Sequence, residues 1–154
     1  MKRSVSVLLW VLVCFAVGAV ASYLQSDALV EWYPYLNNSS LTPPAWVFPV
    51  AWSVLYLLMG ISVGLLWGVR SIYSTILYLL FGMQLVLNFL WSVFFFYFRS
   101  PVLGIIDLVM LDIFVLLYFV GAYVVKRTSA LLVIPYLLWL AFATYLNLYI
   151  AIYN

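Results

Sequence analysis

Residues 102–125 read VLGIIDLVMLDIFVLLYFVGAYVV, twenty-four consecutive positions in which Asp107 and Asp112 are the only charged side chains. A helix of that length covers about 36 Å at 1.5 Å per residue, enough to cross the ~30 Å hydrocarbon core of a bilayer. Backbone groups in lipid need partners within their own segment, and strands of a closed barrel alternate apolar with polar residues. This run does not alternate, so it is expected to be a helix. Four further runs, bounded by charges, prolines or polar clusters, have the same character near 5–24, 46–68, 72–97 and 130–152. The expected fold is an all-α membrane protein, a bundle of five transmembrane helices.

The rest of the chain offers nothing that competes with this reading. Of the 154 residues 69% are apolar and 6% charged, with a mean hydropathy of +1.24, whereas a soluble domain carries ~25% charge. Residues 1–154 therefore read as a single five-helix domain. Only the first loop, about 25–45, is long enough to cover a pocket or form a binding surface. The net charge of +2 comes from six basic and four acidic residues scattered at the ends of apolar runs, a pattern that argues against a nucleic-acid partner. There is no histidine, which removes the usual general base, the commonest metal ligand and the usual axial ligand of haem iron. Cys14 is the single cysteine, so neither an intrachain disulfide nor a cysteine metal cage can form. No metal and no cofactor are expected.

Lys2 and Arg3 precede an apolar stretch ending in Ala19, Val20, Ala21, a pattern shared with cleaved signal peptides; the nearly 20-residue run favours an uncleaved span. Lys2, Arg3, Arg70, Lys126 and Arg127 fall on one side of the five-span topology and Arg99 alone on the other. Basic loops face the cytoplasm, so the N-terminus is expected inside and the C-terminus outside, in the cytoplasmic membrane of a prokaryote.

Polar groups within the membrane are costly and point to function or to helix pairing. In the third span Gln84, Asn88, Trp91 and Phe95 follow a 4, 3, 4 spacing that places them on one helical face. Helix bridging and ligand contact are both open readings of Gln84 and Asn88. Asp107 and Asp112 point about 140° apart on their helix, so they are not a paired-carboxylate site. Each is expected to be protonated, hydrogen-bonded to a hydroxyl or amide, or paired with Arg99; a proton-coupled transporter built on either is the remote alternative.

In the second span Phe48, Trp52, Tyr56 and Gly60 recur every four residues, and Gly60, Gly64 and Gly68 continue as a doubled small-xxx-small pattern suited to close helix approach within or between protomers. In the fifth span Tyr136, Trp139, Ala143, Leu146 and Asn147 share a face. Tryptophans from two spans facing each other, with Ala143 leaving room, suggest a cavity for a flat, largely apolar ligand reached from lipid or from the first loop. The competing reading treats the aromatics as interfacial anchors, which suits Trp10, Trp32 and Trp67 better than the deeper Trp52 and Trp139.

These motifs resemble those of a known family, the translocator proteins, also called tryptophan-rich sensory proteins or peripheral-type benzodiazepine receptors (TspO). The matching segments are Trp32-Tyr33, Thr42-Pro43-Pro44-Ala45-Trp46-Val47-Phe48-Pro49-Val50-Ala51-Trp52, Leu55-Tyr56, Met59-Gly60, Leu87-Asn88-Phe89-Leu90-Trp91, Asp107, Pro135 to Thr144, and Leu146-Asn147. The resemblance implies a five-helix bundle, usually a homodimer in membrane lipid, that binds protoporphyrin IX, haem and isoquinoline carboxamide or benzodiazepine ligands as a sensor or carrier. Carried onto this sequence, the pocket is Tyr33, Phe48, Trp52, Tyr56, Asn88, Trp91, Trp139, Ala143 and Leu146. The resemblance also implies a second possibility, an enzyme promoting light- and oxygen-dependent porphyrin degradation through Trp52 and Trp139, without metal or histidine. The sequence departs from the family pattern at Ser39 and Leu41, and its tail ends at Asn154 without the basic residue of the animal cholesterol motif, so cholesterol transport is not implied.

Overall fold

A computed structural model describes residues 2–154. Among the described residues all of the regular structure is helical: α1 Arg3–Glu31, a 3-10 turn Tyr33–Tyr35, α2 Val47–Gly64, α3 Ser74–Ser92 widening into a π turn Val93–Tyr97, α4 Pro101–Val125, a short α5 Arg127–Leu131 and α6 Ile134–Tyr153. Among the described residues five spans are long and apolar enough to cross a membrane, the third running through the π turn and the fifth made of α5 and α6 together.

The spans agree with the sequence reading in number and order and differ at their ends. α1 runs to Glu31, six residues past the expected start of the first loop, and is closed by the Trp32 N–H bonding to the Ala28 carbonyl. Polar residues from Gln25 on suggested a loop, but no proline interrupts the chain before Pro34. Ala28, 3% exposed, is held in a cluster with Phe95, Phe96 and Ile150, and that packing sustains the helix past its polar residues. At the other end α2 stops at Gly64, not 68, and the chain reverses through Gly68, whose φ of +74° is a left-handed conformation that glycine adopts without strain. The fifth span breaks between Leu131 and Ile134, just ahead of Pro135, which has no N–H to continue the ladder. Ser100 caps α4 by accepting from the Leu103 N–H, with Pro101 in the first turn.

Helix α1 packs on α2, α3 on α4, and α4 on α6. The glycines of α2 answer the question their spacing raised. A β-carbon at Gly60 would sit 2.5 Å from the Val11 Cα, and one at Gly64 2.5 Å from the Val7 Cα, so the small-residue stripe admits α1 of the same chain. Farther out α1 passes Tyr56, whose ring occupies the space a side chain at Gly18 would need. One interior cluster fills the middle of the bundle and its end away from the first loop, and includes Met59, Val63, Phe81, Leu111, Tyr118 and Leu140. Leu8, Leu12, Leu79, Val102, Ile106 and Ile113 are among the apolar side chains left on the outside, where lipid is their natural solvent. Ser62, Tyr118 and Ser129 form a buried hydrogen-bonded knot tying α2, α4 and α5 together.

Candidate functional site

A cavity of about 760 Å³ lies between α1, α2, α3 and α6 beneath the first loop. Of the nine residues singled out in the sequence, Tyr33, Phe48, Trp52, Tyr56, Asn88, Trp91, Ala143 and Leu146 line it. Trp139 does not. It stands behind the wall, edge-on to Trp52 at 6.4 Å between ring centres and to Phe48 at 6.0 Å, and its buried indole N–H has no hydrogen-bond partner.

Trp52 is the hub of the wall. Its ring stacks on Tyr56 at 5.6 Å and lies 6.3 Å from both Trp91 and Tyr136. Trp91 in turn stacks on Phe95 at 5.5 Å and meets Phe96 edge-on at 5.5 Å. The π turn places the consecutive Phe95 and Phe96 inward together, 4.8 Å apart, and Tyr33 from the loop packs over both. Offset and edge-on contacts of this kind favour fixed ring positions beyond simple area burial. Burial also raises the Tyr33 phenol above its ordinary pKa.

The polar groups of the wall are mostly occupied by one another. Tyr56 donates to the Asn88 side-chain oxygen at 2.7 Å, and the Asn88 side-chain amide nitrogen donates to the Tyr136 hydroxyl at 3.0 Å, so Asn88 both lines the cavity and joins α2, α3 and α6. Gln84, one turn deeper, is 2% exposed and lies off the cavity, its side-chain oxygen unpartnered. The Trp91 indole donates to Asn147, and Asn147 donates to the Pro101 carbonyl. Near the loop end Gln25 donates to the Ser92 hydroxyl at 2.6 Å.

The first loop is fastened to the end of α6. The Asn37 N–H donates to the Asn154 side-chain oxygen at 2.8 Å, and the Ser39 and Tyr145 hydroxyls are 2.9 Å apart. Ser39, one of the two departures from the family pattern, is thus a buried anchor of this loop.

Several cavity residues were not among those singled out. The largest omission is α1, which contributes Phe15, Gly18, Ser22, Gln25 and Leu29. Their 3, 4, 3, 4 spacing marks one helical face, a signal masked by the uniform hydrophobicity around it. Trp10 also turns inward, stacking with Tyr78 at 6.1 Å, and Trp32 packs on Phe95 at 5.4 Å; neither is a simple interfacial anchor. The acidic residues of α4 stand apart from the cavity. Asp112 accepts from Thr144 at 2.9 Å, and Asp107 is 3% exposed. Arg99 pairs with neither, because it meets Glu31 at 3.1 Å on the surface.

Comparison with known proteins agrees with this architecture. The TspO/MBR family model matches residues 10–153. A tryptophan-rich protein TspO of Archaeoglobus fulgidus is 37% identical over 144 residues, covering 94% of each chain. One from Chlorobaculum tepidum is 34% identical over 148 residues, covering 95% of this chain and 94% of the relative. The human translocator protein is 34% identical over 121 residues, covering 77% of this chain and 72% of its own. A five-span apolar bundle whose residues 10–153 match the TspO/MBR family model is an integral membrane protein that belongs to that family.

Proposed function

We propose that the chain binds a flat tetrapyrrole, of the protoporphyrin IX or haem class, in the cavity beneath the first loop, and acts as a membrane sensor or carrier for it. The observation that carries this reading is the wall itself: Trp52, Tyr56, Trp91 and Phe95 border a space of about 760 Å³, within the range of ~300–1,000 Å³ common for small-molecule sites. Aromatic faces with a few neutral polar groups suit a broad conjugated ring, and the same surface suits isoquinoline carboxamide and benzodiazepine ligands. Titration of purified protein with protoporphyrin IX, followed by tryptophan fluorescence, tests it. Saturable quenching is expected, reduced in Trp52→Phe and abolished in Ala143→Phe, which fills the cavity. Non-saturable quenching, or quenching indifferent to these changes, refutes it.

A second reading, turnover of the porphyrin, is favoured by the edge-on contact of Trp139 with Trp52, 6.4 Å between ring centres. Light absorbed by a ligand against Trp52 can drive chemistry on that indole, with Trp139 as its neighbour, and oxygen is the oxidant. Illuminating the complex in air separates the two readings. Loss of porphyrin absorbance that slows in Trp52→Phe supports turnover, while a pigment unchanged or protected by the protein supports binding alone.

A further inference from the structure

Five of the six basic side chains, Lys2, Arg3, Arg70, Lys126 and Arg127, stand at the end of the bundle away from the first loop, and all four acidic side chains lie elsewhere. Asp27 and Glu31 are at the loop end, and Asp107 is buried within α4. Asp112, bonded to Thr144, precedes Lys126 by about 21 Å along α4 at 1.5 Å per residue. The one ion pair among the described residues, Arg99 with Glu31, is at the opposite end.

The packing groups three of these cations. Leu77, near the start of α3, lies so close to Gly121, near the end of α4, that a β-carbon there would meet its side chain at 2.8 Å. That contact brings the α2–α3 turn, which carries Arg70, level with the α4–α5 junction, which carries Lys126 and Arg127. Both segments are held in shape. On either side of Arg70, Ser74 donates to the Val69 carbonyl and Ser71 accepts from the Tyr73 N–H; Ser62 and Ser129 pin α5 to α2; and the Arg127 guanidinium rests 5.2 Å from the centre of the Tyr123 ring. Groups ordered in advance lose less freedom when a ligand arrives. Lys2 and Arg3 belong instead to α1, whose neighbour at this end is α2 through the Val7–Gly64 contact.

The border of the cluster says what kind of anion it meets. Ile72 is 88% exposed and Val124 75% exposed, and Trp67, Tyr73 and Tyr123 are exposed beside them. Bare aliphatic side chains are at home against acyl chains, and tryptophan and tyrosine against the headgroup layer. An anion that uses both the cations and this apolar rim carries tails.

We propose that Arg70, Lys126 and Arg127 form a binding site for an anionic phospholipid, with its phosphate among the three cations and its acyl chains along the outer surface of α3 and α4. Each cation near a phospholipid phosphate adds to the attraction. The site is independent of what the cavity beneath the first loop holds.

The test is native mass spectrometry of the full chain in micelles of a neutral detergent, titrated with phosphatidylglycerol or with phosphatidylcholine. Micelles have no sidedness, so the part these cations play in setting topology does not enter the result. Phosphatidylglycerol is expected to be retained about tenfold or more over phosphatidylcholine. Arg70→Gln combined with Arg127→Gln is expected to remove most of that preference, while Lys2→Gln with Arg3→Gln leaves it within about twofold. Lys126→Gln alone, expected to lower the preference several-fold, serves where the first pair does not fold. Equal retention of the two lipids overturns the proposal. An equal loss from the Lys2 and Arg3 pair overturns it too, since that outcome marks a diffuse field and not a site on α3 and α4. Free glycerol phosphate is expected not to compete; if it displaces the lipid at the lipid's own concentration, the site is one for a soluble phosphate and the lipid assignment falls.

Discussion

Removing the amide of Asn88 leaves two interior phenols without their partners, because Tyr56 donates to it and Tyr136 accepts from it. Hydrogen bonds between membrane helices average only ~0.6 kcal/mol, but a buried polar group left unpaired costs about 1–3 kcal/mol. Asn88→Leu is therefore expected to destabilise the bundle by about 1–3 kcal/mol, read as a lower midpoint in unfolding from detergent micelles; an unchanged midpoint would show that the triad is not stabilising. At this scale the sequence was most informative where a residue broke the local pattern. Asn88 and Trp52 stand out by chemistry and size from the residues around them, whereas Phe15 and Leu29 look like any other lipid-facing residue. Trp139 shows the opposite problem. Its helical face is readable from spacing, but whether its ring reaches the cavity depends on Phe48 and Trp52, which come from another helix.

The helices were legible because each is uniformly apolar over a membrane-spanning length, and their ends were not, because the ends are decided by contacts remote in sequence. Ala28 extends α1 by packing on Phe95, Phe96 and Ile150, and no local signal near Asp27 announces that. The glycines of α2 present the same limit, since their spacing allows a partner helix without naming it. With α1 identified as that partner, two substitutions of equal size should behave differently. Gly60→Ala puts a methyl 2.5 Å from the Val11 backbone and is expected to cost about 1–3 kcal/mol through overpacking. Gly82→Ala meets nothing within 4 Å and is expected to be neutral or to stabilise by about 0.5–1 kcal/mol through helix propensity. Thermal unfolding of the pair, side by side, checks this, and equal losses would show that the α1–α2 contact is not the close one described.

For the whole molecule, the cavity wall draws on four spans, so an occupant stabilises the bundle as a unit. A ligand at 100 times its Kd adds about 2.7 kcal/mol to the folded state, and saturating protoporphyrin IX is expected to raise the melting temperature of the wild type but not of Ala143→Phe. An equal rise in both would place the ligand elsewhere. Gly60 and Gly64 hold α1 and α2 together over the half of the bundle below Tyr56, while the cavity-lining Ala19, Ser22, Pro49 and Ser53 are exposed above it. The space is thus a cul-de-sac: whatever is admitted from the loop side of the bilayer must back out through the same leaflet, and delivery to the opposite face would require these two helices to unzip along their glycines.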